Sequence, residues 1–140
     1  MQFRQTRFAD DLLGITTVRA IVFIDGQNCP VSDEYDGLDD DAIQILGLVD
    51  GEPVACGRIR TVGGIAKLER LAIRRQWRGQ GHGNGLLEFM MQVARARGHK
   101  RFKLHAQVQA VGFYRRHGFE PGGPVFQEVG IDHLLMTRDA

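Results

Sequence analysis

Residues 76–85 read QWRGQGHGNG, with glycine at 79, 81, 83 and 85 and with Arg78 and His82 among them. The segment LLEFMMQVARARG follows at once. Each glycine weakens local order, so four of them at the doorway of a helix need a reason. Free N–H groups at a helix start face outward, and the helix dipole favours negative charge there. Backbone without Cβ atoms lets an anion come close. The stretch therefore reads as a phosphate site, with Arg78 beside it for charge. Two phosphate motifs fail on spacing. A Walker loop needs Gly-Lys, and no glycine in this chain precedes a lysine. GxGxxG meets Asn84 in the sixth place from Gly79 and Leu86 in the sixth place from Gly81.

The elements around this doorway can be read from pattern. A short first strand is expected around Phe3. Asp10 or Asp11 then caps a helix with Leu12, Ile15, Val18 and Val22 on one side, fading at Gly26 and Pro30. Six acids between Asp33 and Asp41 read as a loop. Three strand candidates follow, IQILGLVD, PVACGRIRTV and AKLERLAIR, joined by turns at Asp50–Gly51 and Gly63–Gly64. In the third, Leu68 and Leu71 are three apart and would face opposite sides of a regular strand, so a bulge between them is predicted. The glycine stretch opens a helix with Leu86, Met90, Val93 and Ala94 on one face and Gly98 as its stop. RFKLHAQ is a strand, AVGFYRRHG a short helix ended by Gly118, and two strands around Gly130 close the chain. Hairpins followed by strand-helix-strand-helix-strand predict one α/β domain over residues 1–140. Its sheet is mixed and mostly antiparallel, with helices on both faces.

Composition narrows the partners. The chain is 43% hydrophobic and 25% charged, ordinary for a globular domain, and its net charge of +1 provides no field for nucleic acid. No apolar run approaches the ~18 to 20 residues of a membrane span, and the N-terminus has no signal core. Cys29 and Cys56 lie far apart with no CxxC spacing, which points to a reduced, cytoplasmic setting.

A third phosphate pattern does fit. RGQGHG, Arg78 to Gly83, matches the R/Q-x-x-G-x-G/A signature of the GNAT superfamily of N-acetyltransferases. It follows LERLAIRRQW, which resembles that family's fourth strand. Further on, Ala110, Phe113, Tyr114, Gly118 and Phe119 resemble its second signature, A-x-x-F-Y-x-x-x-G-F. RAIVFIDGQNCP, DGLDDDA, HAQ and FQEVGIDHLLM resemble the ElaA-like branch, with Gly26 standing where an acid is expected before Gln27. The resemblance then covers nearly the whole chain.

The resemblance implies acetyl-CoA as cosubstrate, no metal, and direct attack by a primary amine of a small molecule, peptide or lysine. A homodimer is compatible with it. It implies that the strand around Leu71, Ala72 and Ile73 offers backbone groups to the pantetheine arm, which a bulge would leave unpaired. Arg78, Gly79, Gln80, Gly81, His82, Gly83 and Asn84 would form the pyrophosphate cradle, with Arg74 and Arg75 as outer phosphate contacts. Tyr114 would protonate the departing thiolate. Glu69, beside Leu71, is the first candidate base, with His105 and His133 in competition; an ion pair with Arg70 is its structural alternative. Cys29 reads as a small buried hydrophobe more readily than as a nucleophile. The acidic run reads as solvated before it reads as a cleft edge that attracts a cation. The rival functions are an acyl-CoA sensor that does not catalyse and a protein that uses the loop for ATP or NAD.

Overall fold

Three two-residue turns set the meander. Asp50–Gly51, Gly63–Gly64 and Val129–Gly130 all carry positive φ at both positions, the conformation that matches the right-handed twist of flanking strands. The computed structural model describes residues Met1–Ala140. Its strands are β1 (Gln2–Thr6), β2 (Ile43–Val49), β3 (Glu52–Val62), β4 (Ile65–Ile73), β5 (Arg101–Gln107), β6 (Glu120–Glu128) and β7 (Ile131–Asp139). They form a single sheet in the order β1-β2-β3-β4-β5-β7-β6, antiparallel except where β4 meets β5. The helices are α1 (Leu12–Arg19), α2 (Val31–Glu34), α3 (His82–Ala96) and α4 (Val111–Arg116). This is the mixed, mostly antiparallel α/β domain expected.

The bulge falls where alternation broke. Arg58 pairs with Glu69 and Cys56 with Ala72, so Gly57 alone opposes Arg70 and Leu71. Arg70 takes φ +56, a left-handed conformation that costs a residue with a Cβ. The extra residue resets the phase: Ala66, Leu68, Leu71 and Ile73 all meet the main core against α3. Ala72 turns to the other face, where Cys56, Val18 and Val22 form a smaller cluster.

α3 buries Leu86, Leu87, Met90, Met91, Val93 and Ala94. It stops with the N–H of Gly98 on the Arg95 carbonyl (2.9 Å) and that of His99 on Ala94 (3.1 Å), the two bonds of a glycine-terminated helix. α1 departs from expectation at its start. Ile15, Val18 and Val22 are buried, but Leu12 is 49% exposed. At 3.6 residues per turn Leu12 falls about a quarter-turn off that stripe. The helix also widens into a π-helical stretch over Ala20–Asp25.

The acidic run is only in part a solvated loop: Asp33, Asp36, Asp40 and Asp41 are exposed, but two of its acids turn inward. Glu34, on the short α2, and Asp39 are buried, as are Arg19 and Arg58. Arg58 holds Asp36 with both terminal nitrogens (2.9 Å each) and Asp39 at 3.2 Å; Arg19 holds Asp39 at 2.8 Å. Buried charges persist only when paired, so these carboxylates neutralise two arginines on α1 and β3.

Candidate active site

The site sits where the sheet opens. β4 and β5 pair only at Ala66–Phe102 and Lys67–Lys103. Past that seam the strands diverge, and Leu68 through Ile73 face Leu104, His105 and Gln107 across a cavity of about 310 Å³. A second cavity of about 320 Å³ runs on toward α3, lined by Gly83, Leu86 and Phe113. Tyr114, Leu71, Ala72, Ile73, Arg78 and Ala110 line both, so Tyr114 stands where the two meet.

The glycine doorway has the form of a cradle. Gly79 and Gly81 carry φ +74 and +84, and Gly81 is the residue that caps α3. A Cβ at either would meet nothing within 4 Å, so the backbone there is open to a ligand. His82, Gly83 and Asn84 form the first turn, whose N–H groups lack intrahelical partners. Arg78 donates from Nε to the Ile73 carbonyl at 2.7 Å, which fixes its guanidinium over the end of β4. Gln80 turns back to the Gln76 carbonyl, and the Asn84 side chain meets His117 Nε2 at 2.8 Å. Gly85 answers to packing: a Cβ there would come within 3.0 Å of the Phe3 ring. Arg74, expected as an outer phosphate contact, is engaged within the protein. It is spent on Glu52 (2.9 Å) and the Pro53 carbonyl, over the Trp77 ring. Arg75 is exposed.

Tyr114 is packed edge-on against Phe113 and Phe119, and burial pushes its hydroxyl up to about 12. It stays protonated at neutral pH and is therefore a standing proton donor. Glu69 does not suit the role of base. Burial alone would raise its pKa, but hydrogen bonds from Arg60 and the charges of Arg58 and Lys67 overcome this and hold it at about 2. Its oxygens take Arg60 at 2.6 Å, Arg58 at 3.0 Å and Lys67 at 3.0 Å. It is a part-buried charge-balancing group, and its partners do not include the neighbouring Arg70.

The histidines form a different arrangement. His105 Nδ1 lies 3.1 Å from Glu128 Oε1, and His133 Nε2 lies 3.7 Å from Glu128 Oε2, so one carboxylate serves two imidazoles. His133 Nδ1 is 2.7 Å from the Ile131 carbonyl, and its ring stacks on Phe126. All three polar groups line the first cavity. Cys29 lines it too, with its thiol raised by burial and so poorly suited to act as a thiolate nucleophile.

Asp33 and Glu34 border the cavity, which is the second of the two readings offered for the acidic run, whereas Glu128 and the bonded pair Gln107–Gln27 (3.1 Å) are cavity residues that local pattern missed. The two glutamines are 80 positions apart. Nothing in either segment alone marks the contact.

A bulged β4, an opening beside β5 and a glycine-capped α3 define an acyltransferase scaffold. Residues 34–140 match the acetyltransferase (GNAT) domain, and the chain belongs to that family. It falls in the ElaA-like branch. Protein ElaA of Escherichia coli is 31% identical over 91% of this chain and 87% of its own, and its crystal structure superposes with a TM-score of 0.86. "Uncharacterized N-acetyltransferase YjcF" of Bacillus subtilis is 38% identical over 87% of this chain and 88% of its own. An acyl-CoA N-acyltransferase from Pseudomonas aeruginosa is 31% identical over 98% of both chains, with a TM-score of 0.88.

Proposed function

We propose that the protein moves an acetyl group from acetyl-CoA to a primary amine by direct attack in a ternary complex. The observation that carries this is the position of Tyr114 at the junction of two cavities, one reaching the glycine-capped helix and the other lined by imidazoles and carboxylates. The α3 doorway and Arg78 hold the pyrophosphate. The freed edge of β4 at Leu71, Ala72 and Ile73 takes the pantetheine arm. The acyl-CoA named for the Pseudomonas relative supports this choice of donor.

The neutral amine nitrogen attacks the thioester carbonyl, the carbon–sulfur bond breaks, the leaving thiolate takes the Tyr114 proton, and the nitrogen's surplus proton restores the phenol. The ammonium must first lose a proton, and His105 is the base. With Nδ1–H donated to Glu128, its Nε2 lone pair is free for the amine. Glu128 holds the ring, and Glu69 takes no part in the proton transfer.

A thiol-release assay with acetyl-CoA and an amine panel tests the reading. Release that depends on amine, and that His105→Gln and Tyr114→Phe both suppress, is the expected result. Tight acetyl-CoA binding with no release for any amine would identify a sensor instead. Thermal stabilisation by ATP or NAD but not by coenzyme A would remove the acyl-CoA assignment altogether.

A further inference from the structure

Glu34 is the exception among the buried carboxylates, although Arg19 also leaves Nε and Nη1 without hydrogen bonds. Glu34 is 2% exposed, it lines the first cavity, and its Oε1 has no hydrogen-bond partner. The nearest cations are Arg70 Nε at 3.3 Å and Arg19 Nε at 3.7 Å, and neither nitrogen is in hydrogen-bonding geometry. Both arginines donate elsewhere: Arg19 to Asp39, Arg70 to the backbone carbonyl of Glu34 itself. Glu34 therefore has charge compensation but an empty acceptor position, and a buried oxygen in that condition costs stability until a donor arrives.

Asp33 and Glu128 add negative charge to that wall of the cavity, with Lys67 and Arg70 as its cations and Arg78 away at the cofactor end. Glu69 lines it too but is already balanced by Arg58, Arg60 and Lys67. An ammonium carries three donors and a charge. Glu34 also lies apart from the reacting end. Its contact, Arg70, is three strand residues from Ile73, which borders both cavities with Tyr114; at ~3.3 Å per residue that is about 10 Å.

We infer that the acceptor is a dication, an amine whose reacting nitrogen lies near Tyr114 while a second ammonium or guanidinium group, a short chain away, hydrogen-bonds Glu34. Burial raises the pKa of Glu34 against the pull of Arg70 and Arg19, consistent with a carboxylate that lacks a partner. The inference rests on the acetyltransferase reading and specifies the acceptor that it leaves open.

Wild-type protein, acetyl-CoA and four acceptors of matched length provide the test: cadaverine, aminopentanol, amylamine and aminovalerate. Cadaverine should exceed aminopentanol and amylamine in kcat/KM by about tenfold, the value of one hydrogen bond to a charged group, with the anionic aminovalerate poorest. Glu34→Gln should bring the cadaverine-to-aminopentanol ratio toward one, and Asp33→Asn at the exposed rim should lower it less. If Glu34→Gln fails to fold, the wild-type series decides alone. Equal rates for cadaverine and aminopentanol, or a ratio that survives Glu34→Gln, overturn the inference and leave the acetyltransferase standing. No thiol release with any amine removes both.

Discussion

Arg60 Nε lies 2.6 Å from Glu69 Oε1, on the carboxylate that the sequence offers first as a catalytic base. With Arg58 and Lys67 on the same group, Glu69 is a partner to cations before it can be a partner to substrate. Glu69→Gln should therefore leave the acid limb of the pH–rate profile where it is. Its cost falls on stability, about 3 kcal/mol or more, because Arg58 stays buried beside a neutral amide. Denaturant melts and a pH–rate profile of the variant separate the two effects. A shifted acid limb would restore Glu69 as base.

The same group sets an acid sensitivity. Its folded pKa of about 2 lies below the ordinary 4.5, so it stabilises the fold fully above 4.5 and loses that contribution as pH falls from about 4.5 toward 2. A shift of that size corresponds to about 3 kcal/mol. Asp36, which the Arg58 hydrogen bonds hold well below the usual carboxylate range against its own burial, adds a loss that begins below its ordinary 3.8 and continues past the lower end of that window. Stability measured against pH should fall steeply there, and Glu69→Gln should flatten the curve.

Tyr114→Phe keeps the ring packing against Phe113 and Phe119 and removes the proton. Turnover should fall roughly 10²-fold. Coenzyme A affinity, measured by calorimetry, should stay close to that of the wild type. An unchanged kcat would remove the phenol from the mechanism.

Gly81→Glu should abolish coenzyme A binding. The position carries φ +84, so any side chain is strained there, and a carboxylate at the helix entrance opposes a diphosphate. The thermal shift on adding coenzyme A reports it directly. A retained shift would move the pyrophosphate site elsewhere.

Gly57→Ala tests the bulge from the opposite strand. A Cβ there would stand 2.5 Å from Met90 Sδ on α3. Overpacking of that kind costs about 1–3 kcal/mol. The urea midpoint should drop accordingly.

What could be read in advance follows the range of each interaction. The interrupted alternation at Leu68 and Leu71 located the bulge, because strand phase is local. The glycine doorway and the turn dipeptides were legible for the same reason. Arg70 in the left-handed region was not, since nothing in its type favours that conformation. Nor were Arg19 and Arg58. An arginine on a helix or strand reads as solvated, and only closure of the acidic run onto them, with Asp39 arriving from 20 positions away, makes burial possible. That closure is why Glu34 and Asp39, read as part of a surface loop, turned out to be interior, while Asp33, Asp36, Asp40 and Asp41 stayed exposed. The Glu128–His105–His133 grouping likewise needs β5 and the β6–β7 hairpin to be side by side before it exists.

β4 and β5 share only two register pairs before they part. A sheet interrupted this way resembles a zipper left half-drawn, with main-chain groups exposed along a gap the width of an extended thread. A pantetheine arm is such a thread, polar at its amides and slim between them. Laid in the gap, it would supply to each lip what the opposite strand withholds. By this account the protein is built one strand short, and the donor molecule makes up the difference for as long as it stays bound.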